Sequence, residues 1–249
     1  MKIAIVTGAS VGLGREFVRQ LLAQCTGLDE IWAIARSQDA LEALRNEFGD
    51  KLVPISLDLT KRQDLETLAA RLGQHQIAAV VNNAGIGVLG NFADTPITGQ
   101  LNMTDLNVTA LTAVAHLCLP YMQKGSFVLN VCSIAAFVPT PRMTVYSATK
   151  AYVYAFSKSL ACELKPRGIT VTAVCPGPMR TAFLDAAGIP GNSKTFETLP
   201  YDSPEHVAKA AIRAAIRGQR VITPKPLYKL YRVLAKLVPH RLMMKISKT

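Results

Sequence analysis

A doubly wound α/β fold on a seven-stranded parallel sheet is the architecture this 249-residue sequence predicts, and three observations predict it. Short runs rich in Val and Ile alternate with helix-length stretches from end to end. These runs are largely apolar throughout instead of alternating, the pattern of strands covered by helices on both faces. The first run also passes directly into a glycine-rich turn and a helical stretch, the opening of a βαβ unit.

The strand-like runs are "KIAIVT", "EIWAIA", "LVPISL", "IAAVVN", "SFVLNV", "GITVTAV" and "RVIT". Helices are predicted between them near residues 12–24, 38–48, 61–73, 99–123, 146–165 and 204–217. The last of these is clearly punctuated: Ser203 can cap the free amides, Pro204 suits the first helical position, and Gly218 can end the helix left-handed. The stretch 176–200 is rich in Gly and Pro, and its length predicts a lid or binding element. With 49% apolar and 18% charged residues, the chain suits one domain over 1–224, followed by a basic amphipathic helical extension over 225–249.

The net charge of +11 is local. Residues 206–249 hold eleven of the 28 Lys and Arg and no acidic residue, which leaves 17 basic against 17 acidic residues upstream. A neutral body with no readout motif in its tail gives no reason to expect a nucleic-acid partner. In the tail, a helix is predicted over 227–238, bounded by Pro226 and Pro239. At about 100° per residue, Leu227, Leu230, Tyr231, Leu234, Leu237 and Val238 gather on one side, with Lys229, Arg232 and Lys236 on the other. A shorter cluster follows, with Leu242, Met243, Met244 and Ile246 among Arg241 and Lys245. Three destinations stay open for the apolar side: the chain's own core or a second subunit, an anionic membrane surface, or an acidic partner protein.

Cys25, Cys118, Cys132, Cys162 and Cys175 lie in apolar stretches without C-x-x-C or metal-ligand spacing, and the four His are scattered. Buried, reduced thiols and no metal site are expected. "MKIAIVTGAS" runs straight into a strand, and no apolar run approaches the ~18 residues of a membrane span. A cytoplasmic protein is expected, peripheral to a membrane if the tail docks there.

In "TGASVGLG", Gly8, Gly12 and Gly14 sit at the first strand-to-helix junction, where the backbone can approach a pyrophosphate stabilised by the helix N-terminus. Ser10 and Leu13 of the same turn are expected to contact the nucleotide. Just past the second strand, Arg36 stands where an NAD-binding chain would place an acid for the ribose 2′-hydroxyl. A guanidinium there can pair with a 2′-phosphate, so NADP(H) is expected in preference to NAD(H).

The sequence resembles the short-chain dehydrogenase/reductase family over about residues 2–224, in its single-domain form. Besides the glycine turn, the matching motifs are "LDL" with Asp58 and Leu59, "NNAG" with Asn83, Ala84 and Gly85, and Asn107 in "DLNVTAL". They continue with Ser133 in "NVCSIAA", Tyr146 and Lys150 in "YSATK", and "PGPMRT" with Pro176, Gly177, Met179 and Thr181. The resemblance implies a Rossmann-type fold, cofactor contacts at these positions, and a catalytic set of Asn107, Ser133, Tyr146 and Lys150. It implies that Asn107 orders a water beside Lys150, and it implies a homodimer or homotetramer formed through the helices near 99–123 and 146–165. Cys132 and Ala136 depart slightly from the family's usual residues.

The chemistry of the residues agrees. Tyr146 and Lys150 are four apart and share one helix face, where an ammonium is expected to pull the phenol's pKa down toward neutrality. Ser133 at a strand end offers a hydroxyl to a substrate oxygen. The expected activity is hydride transfer between the nicotinamide and a hydrophobic ketone, aldehyde or secondary alcohol. Ala135, Met143 and Phe183 are expected to touch that substrate, and Ile134, Phe137, Met179, Leu184 and Ile189 either line the cleft or pack. A non-catalytic NADP(H)-binding sensor or scaffold is the alternative; the retained Tyr146 and Lys150 weigh against it.

Overall fold

The computed structural model describes residues 1–73 and 75–247, apart from the side chain of Ile246, so the expected apolar role of Ile246 falls outside the described side chains. Seven parallel strands form one sheet: β1 (Lys2–Thr7), β2 (Glu30–Ala35), β3 (Leu52–Ser56), β4 (Gln76–Asn82), β5 (Met122–Val131), β6 (Thr170–Val174) and β7 (Val221–Ile222). Their order is β3-β2-β1-β4-β5-β6-β7. The winding reverses between β1 and β4, which opens a crevice at their C-terminal ends.

Successive residues of each strand feed opposite layers. Ala4, Val6, Ile31, Ala33, Val81 and Leu129 pack with α1 (Gly12–Gln24), α2 (Gln38–Phe48) and the later helix α9 (Pro204–Ile216). Ile3, Ile5, Ile34, Ile77, Val80 and Val128 pack on the other face, against α3 (Arg62–Leu72), α5 (Leu111–Cys118) and α6 (Thr144–Glu163). Two buried layers explain why the strands read as continuous apolar runs. The expected punctuation of α9 is present: the Ser203 hydroxyl accepts from the His206 amide at 3.1 Å, Pro204 opens the helix, and Gly218 follows with φ +69°.

The helix expected over 99–123 is broken. It consists of α4 (Ile97–Thr104), a π-helical turn (Asp105–Ala110), α5 and a 3₁₀ turn (Leu119–Tyr121), and β5 already begins at Met122. Pro120 has no amide to continue the helical ladder, and the π turn falls at Asn107. The stretch 176–200 is likewise more ordered than a loop and carries α7 (Ala182–Ala186) and α8 (Lys194–Thr198). Of the five thiols, all free, Cys118, Cys132 and Cys175 are buried, Cys25 is half-buried, and Cys162 is exposed, so burial was overextended to Cys162 and Cys25.

The tail forms α10 (Pro226–Leu237) and α11 (His240–Ile246). Its inward side is not the leucine stripe that the sequence suggested. Tyr228, Ala235 and Met243 are buried, with Tyr231, Val238 and Met244 packed against Phe137, Val153, Ala173 and Cys175. Arg232, expected on the outer charged side, turns inward, where its charge acts on Tyr154 and Cys175. Among the described residues, no helix is long and apolar enough to cross a membrane.

Candidate active site

One cavity of about 850 Å³ runs from the glycine turn after β1 to the face of α6. Its floor is built by polar contacts between the ends of β1 and β4. The Thr7 hydroxyl accepts from the amides of Asn83 and Ala84, both at 3.0 Å, and the Asn83 carboxamide donates to the carbonyls of Thr7 and Gly8. Thr7 was not singled out from the sequence, because its role depends on a contact 76 residues away.

Gly8, Ser10, Gly12, Leu13 and Gly14 all line the cavity. Val11 precedes α1 without a side-chain cap, and no acid lies in the first turn, so the free amides are available to an anion without competition. Gly14 has a further task beside the one its motif suggests. A Cβ there would collide with the Gly8 carbonyl, so the missing side chain also lets the turn close on itself. Gly14→Ala is therefore expected to lower stability by roughly 1–3 kcal/mol, because a backbone carbonyl cannot swing aside. Urea titration should show a lower midpoint with an unchanged slope.

Along the wall beyond the turn lie Arg36, Asp58 and Leu59, then Ala84 and Gly85 with Asn83. Arg36 is exposed at the cavity edge and forms no ion pair among the described residues. The Asp58 carboxyl is held below its ordinary range, first by the Thr60 hydroxyl at 2.7 Å and then by further contacts that include the Lys61 and Arg36 charges. On the far side, Pro176, Gly177, Met179 and Thr181 complete the wall. Gly177 lacks a side chain because the Tyr228 ring of α10 occupies that space. The Tyr228 hydroxyl donates to the Pro200 carbonyl at 2.9 Å, which ties the tail to the end of the segment over the site.

Ser133, Tyr146 and Lys150 meet at the inner end of the cavity. Ser133 leaves β5 extended, and its oxygen accepts from the Ala135 amide at 3.1 Å. Lys150 is buried and donates to the Val131 carbonyl at 2.9 Å, with its ammonium 5.7 Å from the centre of the Tyr146 ring. Burial pushes the Tyr146 phenol well above its usual pKa, only partly offset by the Ser133 hydroxyl, and lowers that of Lys150. The sequence expectation of a depressed phenol is thus reversed. Desolvation of a group that is neutral when protonated is the largest cause, and the Ser133 hydrogen bond offsets only part of it.

Asn107 does not line the cavity. In the π turn its carboxamide is fully engaged, accepting from the Ile86 amide and donating to the Ile86 carbonyl, each at 2.9 Å, and to the Thr149 hydroxyl at 3.2 Å. It fixes the backbone just past Gly85, where a side chain would crowd both the Asn107 oxygen and the Lys150 ammonium. Thr149, one residue before Lys150, was also missed by sequence reasoning.

Ala135, Met143 and Phe183 are all on the cavity wall, together with Ile134, Met179 and Leu184. Phe137 and Ile189 are not: Phe137 packs edge-on to Tyr154 at 5.4 Å, and Ile189 is buried behind α7. The wall also includes Leu227, Tyr228 and Tyr231 from the tail, which no motif marked.

The sequence model described as "short chain dehydrogenase" matches residues 2–189. The chain belongs to the short-chain dehydrogenase family. A short-chain dehydrogenase of Sphingobium yanoikuyae, solved in complex with NADPH, superposes with a TM-score of 0.82 at 31% identity, covering 98% of this chain and 96% of that one. A bulky-bulky ketone specific alcohol dehydrogenase of Comamonas testosteroni gives 0.75 at 28% identity, covering 98% and 94%. An uncharacterized oxidoreductase of Staphylococcus aureus is 31% identical over 235 residues, 90% of this chain and 97% of that protein. As a member of this family the chain is an oxidoreductase, and its fold is the family's Rossmann-like sheet.

Proposed function

We propose that this short-chain dehydrogenase is an NADP(H)-dependent reductase of hydrophobic ketones or aldehydes, reversibly a secondary-alcohol dehydrogenase, with its catalytic residues within 1–224 and Leu227, Tyr228 and Tyr231 of the tail adding to the cavity wall. One observation carries the reading: Ser133, Tyr146 and Lys150 converge at one end of a cavity whose other end is the uncapped α1 turn with Arg36 beside it. The site residues fit a dinucleotide, since free helix amides suit the pyrophosphate and Arg36 suits a 2′-phosphate. NADPH in the Sphingobium relative and the bulky ketones of the Comamonas enzyme support the cofactor and substrate class.

When bound, NADPH supplies the hydride. The chain's own residues handle the oxygen of the substrate. Ser133 donates a hydrogen bond that holds the carbonyl oxygen, and Tyr146 delivers the proton to it. The raised pKa of Tyr146 keeps that proton on the phenol at neutral pH, which favours reduction. Lys150, anchored on Val131, steadies the charge left on Tyr146, and Asn107 positions the Gly85–Ile86 backbone beside it. Met143, Phe183 and Leu184 offer an apolar wall from which bulk water is excluded.

Exposed Ile97, Leu101 and Tyr152 on α4 and α6 support assembly as a dimer or tetramer through those helices. The full chain should consume NADPH with a panel of aliphatic and aryl ketones, followed by absorbance. Tight NADPH binding without turnover of any carbonyl in the panel would replace this reading with the sensor.

A further inference from the structure

Helix α10 faces outward with residues that a helix of its composition ordinarily buries. Leu227, Leu230, Val233, Leu234 and Leu237 are exposed, Leu237 to 76%, and Leu242 of α11 extends the patch at 51%. The seam with the body is made by Tyr228, Tyr231 and Ala235, so docking on the core does not account for the leucines. At about 100° per residue the exposed apolar side chains share one arc, with Lys229 and Lys236 along its solvent edge. Lys225, Arg241 and Lys245 lie around its ends, and no acidic residue occurs from 206 onward.

Charge decides the occupant. A second copy packed face to face on this helix would set the same cations against each other, with no acid within 206–249 to pair them. A folded acidic partner would answer the lysines but leaves the leucine arc needing an apolar counterpart of matching shape. An anionic bilayer answers both at once, because leucines enter the acyl boundary while cations meet phosphates. At about 1.5 Å per residue this helix lies along a surface and does not cross it. We propose that α10 and α11 dock the protein on an anionic lipid bilayer. Leu227 belongs to both the exposed arc and the cavity wall, so the docked face adjoins the cavity and an apolar substrate can pass from lipid to site. That consequence rests on the reductase reading; the docking does not.

The full chain is sedimented with vesicles of phosphatidylcholine alone or with about a third phosphatidylglycerol, an anionic fraction that creates the attracting surface potential. Binding is expected only to the anionic vesicles, and raised salt should weaken it. Lys229→Gln with Lys236→Gln should weaken partitioning roughly 25-fold, about fivefold for each cation lost. Leu230→Gln with Leu237→Gln, both at exposed positions outside the cavity wall, should weaken it roughly tenfold or more while the melting temperature stays unchanged. Docking is overturned if the parent ignores anionic vesicles, or if the leucine variant binds them as the parent does. It is equally overturned if the leucine variant dissociates a dimer on size exclusion, which would make the face an interface between copies. Inactivity toward ketones would leave the vesicle result standing.

Discussion

Tyr146→Phe is expected to lower kcat for ketone reduction by roughly 10²- to 10⁴-fold while leaving NADPH affinity nearly unchanged. The ring is buried among Met143, Leu184 and Phe183, the last with its ring centre 5.8 Å away, and phenylalanine fills the same space. The substitution therefore removes a proton donor without opening a cavity. The pH profile of the parent carries the complementary information. Burial raises the phenol's pKa, so the protonated form used in reduction persists through the neutral range and is lost only as pH climbs through that raised value. Burial lowers the pKa of Lys150, so its positive charge is lost at a lower pH than for an ordinary lysine. Reductive kcat should thus be flat near neutrality and fall on the alkaline side, with Lys150 setting the onset. Alcohol oxidation, which needs the phenolate as base, should rise with pH over the same range. A phenylalanine variant within about tenfold of the parent would take Tyr146 out of the proton's path.

The sheet was readable because its chemistry is continuous along the chain. Ile3 and Ile5 face one layer, Ala4 and Val6 the other, so apolar residues had to fill consecutive positions. The contiguous site motifs were readable for a related reason: four residues from Tyr146 to Lys150 are one helical turn, whatever surrounds them. Features set by contacts distant in sequence were not. The π turn at Asn107 is stabilised by Ile86, 21 residues earlier, and by Thr149, 42 residues later. Helical periodicity over 227–238 indicated an apolar side correctly but could not say which side met the body. The leucines outrank the tyrosines in hydrophobicity. Yet the space left by Gly177 fits a Tyr228 ring, and the Pro200 carbonyl needs its hydroxyl. Shape and one hydrogen bond outweighed the stronger apolar stripe.

Arg36→Asp is expected to raise the KM for NADPH by roughly 10- to 100-fold and to lower that for NADH modestly. Arg36 follows β2 on the cavity wall, and its guanidinium forms no ion pair among the described residues. The cations of α1 are engaged elsewhere among the described residues. Arg15 and Arg19 are both held by Glu47, at 2.6 and 3.2 Å. A bidentate pair with a 2′-phosphate is worth more than a neutral hydrogen bond, though the exposure of Arg36 and screening by salt hold the effect toward the lower figure. An aspartate at the same place repels the phosphate dianion and can accept from a ribose 2′-hydroxyl, so the ratio of the two cofactors should move from both directions. Equal losses for NADPH and NADH would mean that Arg36 supports the turn as a whole and does not read the phosphate. Arg36→Ala separates the two contributions, since it removes attraction without adding repulsion: its NADPH deficit should be smaller than that of Arg36→Asp and should shrink further as salt is raised.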